Sequence, residues 1–302
     1  MSPPTLLRIG TRKSPLALRQ AEMVKDVLLA AAPGLSVEII AMTTSGDQAK
    51  DTPLADIGGK GLFTKEIEEA LLEHRVDIAV HSMKDMPTVL PEGLAMPALL
   101  PREDARDAFI SPRHASLAAL PEGAVVGTSS LRRQALLLHR RPDLKVIPFR
   151  GNVETRLRKL ADGQAEATLL ACAGLKRLGL EKHISSPLSV EEMLPAVAQG
   201  AIGIEARLAD ADLMAFLRAL SHTPTETCVA AERAALKVLD GNCRTPIAAH
   251  ATLQGETLQL TALLASPDGA WLERVERSGP AANAEAIGSA AGEALLSRKP
   301  KG

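Results

Sequence analysis

Val125-Val-Gly-Thr-Ser-Ser-Leu-Arg-Arg133 is a short β-branched run, then a small polar loop, then the start of an amphipathic helix whose apolar stripe is Leu131, Ala135 and Leu138. A strand feeding a helix through a short loop is the repeating unit of a parallel or mixed sheet. The same rhythm fills most of the first 200 residues, with strand candidates at Leu6–Gly10, Val37–Met42, Ile78–Val80, Val125–Gly127, Lys145–Phe149 and Thr168–Ala171. After the first of these, Ala17, Ala21, Val24 and Leu28 fall at i, i+4, i+7 and i+11, with Ser14 as N-cap and Pro15 at the first helical position. Pro97-Ala-Leu-Leu-Pro101 reads as a crossover between two lobes, and Leu194-Pro-Ala-Val-Ala-Gln-Gly200 as a second. From about Ser221 the rhythm changes: a helix over Glu226–Leu239, strands separated by turns at Gln254-Gly-Glu256 and Ser266-Pro-Asp-Gly269, and a closing helix over Asn283–Ser297. The reading is an α/β protein with a small C-terminal α+β domain.

Composition narrows the partners. The chain has 302 residues, 35 Lys+Arg against 36 Asp+Glu, and 2% aromatics. Near-neutral charge and few rings to stack bases argue against nucleic acid. No apolar run reaches the roughly 18 residues of a membrane span, and the N-terminal stretch lacks a secretory pattern. The three cysteines, Cys172, Cys228 and Cys243, have no C-x-x-C spacing, which predicts a reducing, cytoplasmic setting and no structural zinc.

The overall neutrality hides a local excess. Between Val125 and Leu160 nine basic residues face two acidic ones. Arg140, Arg141, Arg158 and Lys159 fit an ordinary solvated helix face. Arg132 and Arg133 do not, because they sit in the first turn of a helix, where the macrodipole favours Asp or Glu. The pattern recurs in Phe149-Arg-Gly-Asn-Val-Glu-Thr-Arg156, with Asn152 as N-cap and Arg150 and Arg156 flanking the start, and in Gly10-Thr-Arg-Lys-Ser-Pro15 with Arg12 and Lys13. Three cationic helix starts predict a ligand that supplies the missing negative charge at the carboxyl edge of the sheet. Arginine's predominance over lysine favours carboxylates.

Other motifs are weighed by what they lack. Ile57-Gly-Gly-Lys-Gly-Leu-Phe63 is neither a Walker loop nor a dinucleotide fingerprint, and Gly127-Thr-Ser-Ser-Leu131 lacks the last glycine of a nucleophile elbow. Asp85, in His81-Ser-Met-Lys-Asp85, follows a buried strand and would be a carboxylate in a mostly cationic cleft, suited to opposing a cation or moving a proton. The bland alternative is a loop Asp capping nearby N–H groups. His81 fits a structural role better than a general base. Cys172 and Cys228 read as packed residues, whereas Cys243, between Gly241-Asn242 and Arg244-Thr-Pro246, is a loop thiol open to nucleophilic or covalent chemistry.

Taken in order, Gly58-Gly-Lys-Gly-Leu-Phe63, His81-Ser-Met-Lys-Asp85, Gly127-Thr-Ser-Ser-Leu-Arg-Arg-Gln134, Arg150-Gly-Asn-Val-Glu-Thr-Arg156 and the loop cysteine followed by Pro246-Ile247 resemble the porphobilinogen deaminase (hydroxymethylbilane synthase) family, from Arg8 to about Trp271. The resemblance implies two periplasmic-binding-protein-like (type II) lobes with mixed sheets, at 1–99 plus 200–219 and 100–199, and a C-terminal domain at 220–302 carrying the cysteine. It implies a dipyrromethane cofactor joined to Cys243 by a thioether, and head-to-tail addition of four porphobilinogen units with loss of ammonia before hydrolysis. Arg132, Arg133, Arg156, Ser82, Lys84, Thr128 and Ser130 would hold the cofactor, and Arg12, Ser14, Arg150 and Arg177 the incoming pyrrole. Asp85 would be catalytic, steadying the pyrrole nitrogens and the cationic methylene-pyrrole. Lys60 and Phe63 would lie on a loop over the cleft. The resemblance also favours a monomer; no metal is expected.

Two positions depart from the family pattern: Asn242 where a second glycine is common, and Ala198 in Ala-Gln-Gly200 where Gly-Gln-Gly is common. Asn tolerates a left-handed backbone; Ala198 would stiffen the hinge. The rival reading is a non-catalytic two-lobed sensor of a small polyanion, in which Asp85 and Cys243 have no required role. A phosphoribosyl transferase would need a pyrophosphate loop and metal-binding carboxylates that the sequence does not supply.

Overall fold

The computed structural model describes residues 5–48, 61–239 and 245–300. Its elements, in chain order, are β1 (Leu6–Arg12), α1 (Pro15–Ala31), β2 (Ser36–Met42), α2 (Ser45–Gln48), α3 (Lys65–Leu72), β3 (Ile78–Ser82), β4 (Leu94–Leu99), β5 (Asp107–Ile110), β6 (Val125–Gly127), α4 (Leu131–Arg140), β7 (Lys145–Ile147), α5 (Val153–Ala161), β8 (Ala167–Ala171), α6 (Cys172–Arg177), β9 (Ser186–Pro187), β10 (Ile202–Arg207), α7 (Ala211–Ala219), α8 (Thr223–Val238), β11 (Ile247–Gln254), β12 (Thr257–Ala265), β13 (Leu272–Pro280) and α9 (Ala284–Arg298). They fall into two compact units, one of residues 5–48, 61–103 and 201–226, the other of the remaining described residues.

The first unit holds a five-stranded sheet in the order β2-β1-β3-β10-β4, the second a five-stranded sheet β7-β6-β8-β5-β9 and a three-stranded sheet β11-β12-β13. In the first, β1 runs parallel to β2 and β3, and β10 antiparallel to β3 and β4. The second repeats the plan, with β6 parallel to β7 and β8, and β5 antiparallel to β8 and β9. Each large sheet is thus a parallel trio with an antiparallel strand inserted beside it, the mixed-sheet lobe expected of the type II periplasmic-binding class.

The apolar stripe of α1 packs as its spacing predicts: Ala21, Val24 and Leu28 are fully buried against Leu7, Ile9 and Val80. Ser14 Oγ accepts the Ala17 N–H at 3.3 Å, closing the predicted cap. The parallel strands match their sequence signals to within a few residues. The antiparallel β4, β5 and β10 do not, and Pro97, read as part of a crossover, lies inside β4. An edge strand tolerates it, because the missing N–H faces away from the sheet. Here β4 is that edge.

Around the three-stranded sheet, Ala248, Leu263 and Ala265 join one apolar cluster with Phe109, Leu136 and Leu169 of the second unit. α9 lies close to α8, where a Cβ on Gly288 would stand 2.1 Å from the Ala231 carbonyl oxygen. Among the described residues no helix is long and apolar enough to cross a membrane.

Candidate anion and acid site

In the first unit, β1 and β3 are parallel neighbours, so their carboxyl ends share one edge. Arg12 ends β1, pairs with Asp47 and lies 4.2 Å over the centroid of the Phe63 ring. Burial raises the Asp47 carboxyl, and the hydrogen bond and charge of Arg12 outweigh it, leaving Asp47 below the usual carboxylate range. Ser82 ends β3 with its Oγ 2.8 Å from Gln20 Nε2 of α1. The chain then makes one 3-10 turn, Met83–Asp85, that buries Met83 and exposes Lys84 and Asp85. Asp85 therefore sits at a strand end facing solvent. His81 is in the strand rather than a loop, 5% exposed, with Nε2 2.9 Å from Glu205 Oε2; it is a packed residue.

In the second unit, β6 and β7 carry the other cationic starts. Thr128 Oγ1 accepts the Ser130 N–H at 3.2 Å, and Ser130 caps α4 by accepting the Arg133 N–H at 3.4 Å. Asn152 caps α5, accepting the Thr155 N–H at 2.8 Å. Arg156, half-buried, donates through Nε to the Gly151 carbonyl at 2.9 Å, and Lys159 reaches the Arg150 carbonyl. Arg177, at the end of α6, donates to the Gly200 carbonyl at 2.6 Å.

Arg132 and Arg133 are buried, and the reason is Asp107, which no sequence signal singled out. Arg133 donates through Nε and Nη2 to Asp107 Oδ1 at 3.2 and 2.7 Å, and through Nη1 to the Leu169 carbonyl at 2.9 Å. Arg132 pairs through Nη2 with Asp107 Oδ2 at 2.7 Å and donates through Nη1 to the Leu194 carbonyl at 2.7 Å. Gln199 Nε2 adds a bond to Asp107 Oδ1 at 3.0 Å. These contacts turn α4, so that its buried face is Arg132, Arg133, Ala135, Leu136 and Leu137; of the predicted stripe Ala135 is buried, while Leu131 and Leu138 are only half-buried. Burial raises the Asp107 carboxyl, but its two arginines outweigh that and hold it far below its ordinary range. Burial pushes the Arg132 guanidinium down, with Asp107 pulling the other way.

Two guanidinium groups against one carboxylate leave this cluster one negative charge short. A desolvated excess charge is costly unless a counter-ion completes it. Arg132 Nε is buried with no acceptor among the described residues. The arrangement thus suits a carboxylate-bearing ligand, as the arginine bias predicts, with Asp107 supplying part of the counter-charge internally.

The three cationic helix starts do not share one sheet edge. Arg12 belongs to the first sheet, the other two to the second. Lys60 and Cys243, with Gly241, Asn242 and Arg244, lie outside the described residues. Cys172 and Cys228 are buried, and burial, with Asp104 and Asp107 nearby, pushes the Cys172 thiol up to about 11. Among the described residues no three His, Cys, Asp or Glu side chains gather as a metal site.

Comparison with known proteins agrees with this chemistry. A family model described as "Porphobilinogen deaminase, dipyromethane cofactor binding domain" matches residues 7–215, and one described as "Porphobilinogen deaminase, C-terminal domain" matches residues 226–297. The chain is 58% identical over 281 residues to the chloroplastic porphobilinogen deaminase of Oryza sativa subsp. japonica, covering 91% of this chain and 78% of that protein. It is 54% identical over 301 residues to the porphobilinogen deaminase of Paracoccus denitrificans, covering 99% of this chain and 96% of that one. Among solved structures it is similar to the methionine binding protein MetQ, with 15% identity, 72% of this chain and 90% of that chain covered, and a TM-score of 0.47. By family model and by sequence identity along nearly its whole length, this chain belongs to the porphobilinogen deaminase family.

Proposed function

We propose that the side chains at the carboxyl ends of β1, β3, β6 and β7 carry the family's reaction. That reaction is the stepwise head-to-tail condensation of four porphobilinogen molecules on a bound dipyrromethane, with release of ammonia and final hydrolysis to hydroxymethylbilane. The observation that carries the assignment is the buried Arg132, Arg133 and Asp107 cluster, one negative charge short, with Arg132 Nε lacking an acceptor among the described residues. A dipyrromethane fits it, since each pyrrole bears acetate and propionate groups. When bound, the cofactor supplies the free pyrrole position to which the next unit is joined.

The chain's own residues divide the work. Arg132, Arg133 and Arg156, with Thr128, Ser130, Ser82 and Lys84, bind and orient the cofactor's acid groups. Arg12, Ser14, Arg150 and Arg177 receive the acids of the incoming unit; for Arg12, a carboxylate would compete with Asp47. Asp85 accepts hydrogen bonds from pyrrole N–H groups, and its carboxylate opposes the positive charge left on the substrate methylene as ammonia departs. Its exposure leaves it accessible from the sheet edge. Cys243 is the attachment point through a thioether, with Lys60 and Phe63 covering the site.

The same proposal includes the division at 1–99 plus 200–219, 100–199 and 220–302, a monomeric state and a cytoplasmic setting. The separate three-stranded sheet supports the last domain, and Cys172 and Cys228, both buried and in no disulfide among the described residues, support a reducing compartment. The test is the intact mass of the purified protein. An excess over 31.8 kDa equal to one dipyrromethane, abolished in Cys243→Ser, is the expected result. An active protein of unmodified mass would refute the covalent assignment, and a protein that binds polycarboxylates without turnover would favour the sensor reading.

A further inference from the structure

β3 is buried on both faces, and its alternation sends different groups each way. Ile78, Val80 and Ser82 face α1, where the first two join the main apolar cluster of the unit and Ser82 meets Gln20. Ala79 packs with Ile67, Ala70 and Leu71 of α3, so His81 also points to the α3 side. On the neighbouring β10, Ile202, Ile204 and Ala206 belong to the α1 side, leaving Glu205 and Arg207 toward α3. Glu205 is fully buried, Glu68 of α3 is 6% exposed and His81 is 5% exposed. Two carboxyls and one imidazole therefore share a dry layer between α3 and the sheet.

Their hydrogen bonding is incomplete. His81 Nε2 is 2.9 Å from Glu205 Oε2, while Glu205 Oε1 and Glu68 Oε1 are buried with no hydrogen-bond partner among the described residues. Among the described residues, the other charged groups facing this layer are committed elsewhere. Arg207 binds Asp210 at 2.7 Å, Asp77 at 3.6 Å and the carbonyls of Leu71 and Val76. Arg8 of β1 pairs with Asp77 and Arg12 with Asp47. On α3, Lys65 faces Glu69 at the surface and Glu66 binds Ser45. The buried residues of α1 and α7 include no titratable group, and β4 has none. An ionised Glu68 would place a second carboxylate in this dry layer near Glu205, and burial disfavours that state. Burial raises the Glu68 carboxyl and the Glu205 charge adds to it, against the Thr64 hydroxyl and His81.

The cluster touches two functional segments. His81 directly precedes Ser82 and the turn bearing Lys84 and Asp85. Glu68 lies under the turn that starts α3: a Cβ on Gly61 would stand 3.1 Å from Thr64 Oγ1 and 3.9 Å from Glu68 Oε2, and that turn carries Phe63 over Arg12.

We propose that Glu68, Glu205 and His81 form a buried positioning cluster in which a proton held on Glu68 keeps both the strand end that leads to Asp85 and the Gly61–Thr64 turn in place. Loss of the proton places an uncompensated charge between α3 and the sheet and loosens both segments. The proposal rests on the reading of Asp85 as the catalytic carboxylate.

The test compares pH profiles of hydroxymethylbilane formation for holoenzyme of the wild type, Glu68→Gln and Glu205→Gln. Glu68→Gln is a permanent mimic of the protonated form, so the alkaline decline of kcat should move up by about one pH unit, with KM changing less than about twofold. Glu205→Gln replaces the carboxyl group that faces His81 Nε2 and should lower kcat about tenfold without unfolding the protein. Thermal midpoints provide a second readout. A raised carboxyl contributes stability below its unfolded value near 4.3 and loses it as pH rises through the folded value, so Glu68→Gln should gain on the wild type with rising pH. Superimposable rate profiles, or a Tm difference that does not vary with pH, would overturn the cluster. Wild-type turnover in Asp85→Asn would sink the Asp85 reading alone, since the Tm comparison makes no use of it.

Discussion

Glu232 Oε2 accepts the backbone N–H of Ala198 at 2.6 Å, and its other carboxylate oxygen accepts that of Ala251 at 2.8 Å. Ala198 is fully buried with φ of 58°, a left-handed conformation that costs an L-residue roughly 1–2 kcal/mol. The carboxylate thus fixes a strained alanine to β11. Replacement of Ala198 by glycine should relieve the strain, offset in part by the unfolded-state entropy of glycine, for a net gain of about 0.5–1 kcal/mol. Glu232→Gln should cost about 1–3 kcal/mol, because its amide cannot accept from both N–H groups. Denaturant midpoints read both changes, and a destabilised Ala198→Gly would contradict the strain argument.

Asp107→Asn would strand two buried guanidinium groups. The expected loss is about 3–5 kcal/mol at neutral pH. Because the Asp107 carboxyl is held below its ordinary value, its contribution is present above the unfolded value near 3.9 and fades as pH falls through the folded one. The gap between wild type and variant should therefore narrow below about pH 4. A gap that stays constant from neutral pH down to pH 2 would assign the loss to packing.

Asp85 makes a different prediction because it is exposed. Asp85→Asn should alter stability by no more than about 0.5 kcal/mol while lowering turnover by about a hundredfold or more. Circular dichroism melts and product formation separate the two, and near-wild-type turnover would remove Asp85 from the chemistry.

Gly288→Ala sets helix propensity against packing. Alanine is favoured over glycine in a helix by about 1 kcal/mol. Here the new Cβ would meet the Ala231 carbonyl oxygen at 2.1 Å and the Ala234 Cβ at 2.8 Å, which side-chain rotation cannot relieve. Overpacking should win, for a net loss of about 1–3 kcal/mol by urea denaturation.

The parallel strands were legible because they are short apolar runs followed by helix caps that the sequence spells out at Ser14 and Asn152. β5 and β10 were not, since Asp107, Glu205 and Arg207 make them look solvent-facing. Those polar residues are buried because partners distant in sequence satisfy them: Arg132 and Arg133 for Asp107, His81 for Glu205, the Leu71 and Val76 carbonyls for Arg207. The site divides in the same way. The arginines at helix starts were visible as a local conflict with the macrodipole, whereas the carboxylate that draws Arg132 and Arg133 inward was hidden in an unremarked strand. The same blindness hid that Arg12 already has a partner in Asp47.

The strand inserted between β3 and β4 also sets an order of assembly. On a ribosome the chain emerges from its N-terminus at about 5–20 residues per second, and segments settle as their partners appear. The second large sheet has all its strands once Pro187 is out, whereas Leu99 of β4 must wait for Gly203 of β10. The unit that begins the sequence is consequently the later of the two five-stranded sheets to close, and until then β3 and β4 present open backbone edges that a nascent-chain chaperone would be suited to shield.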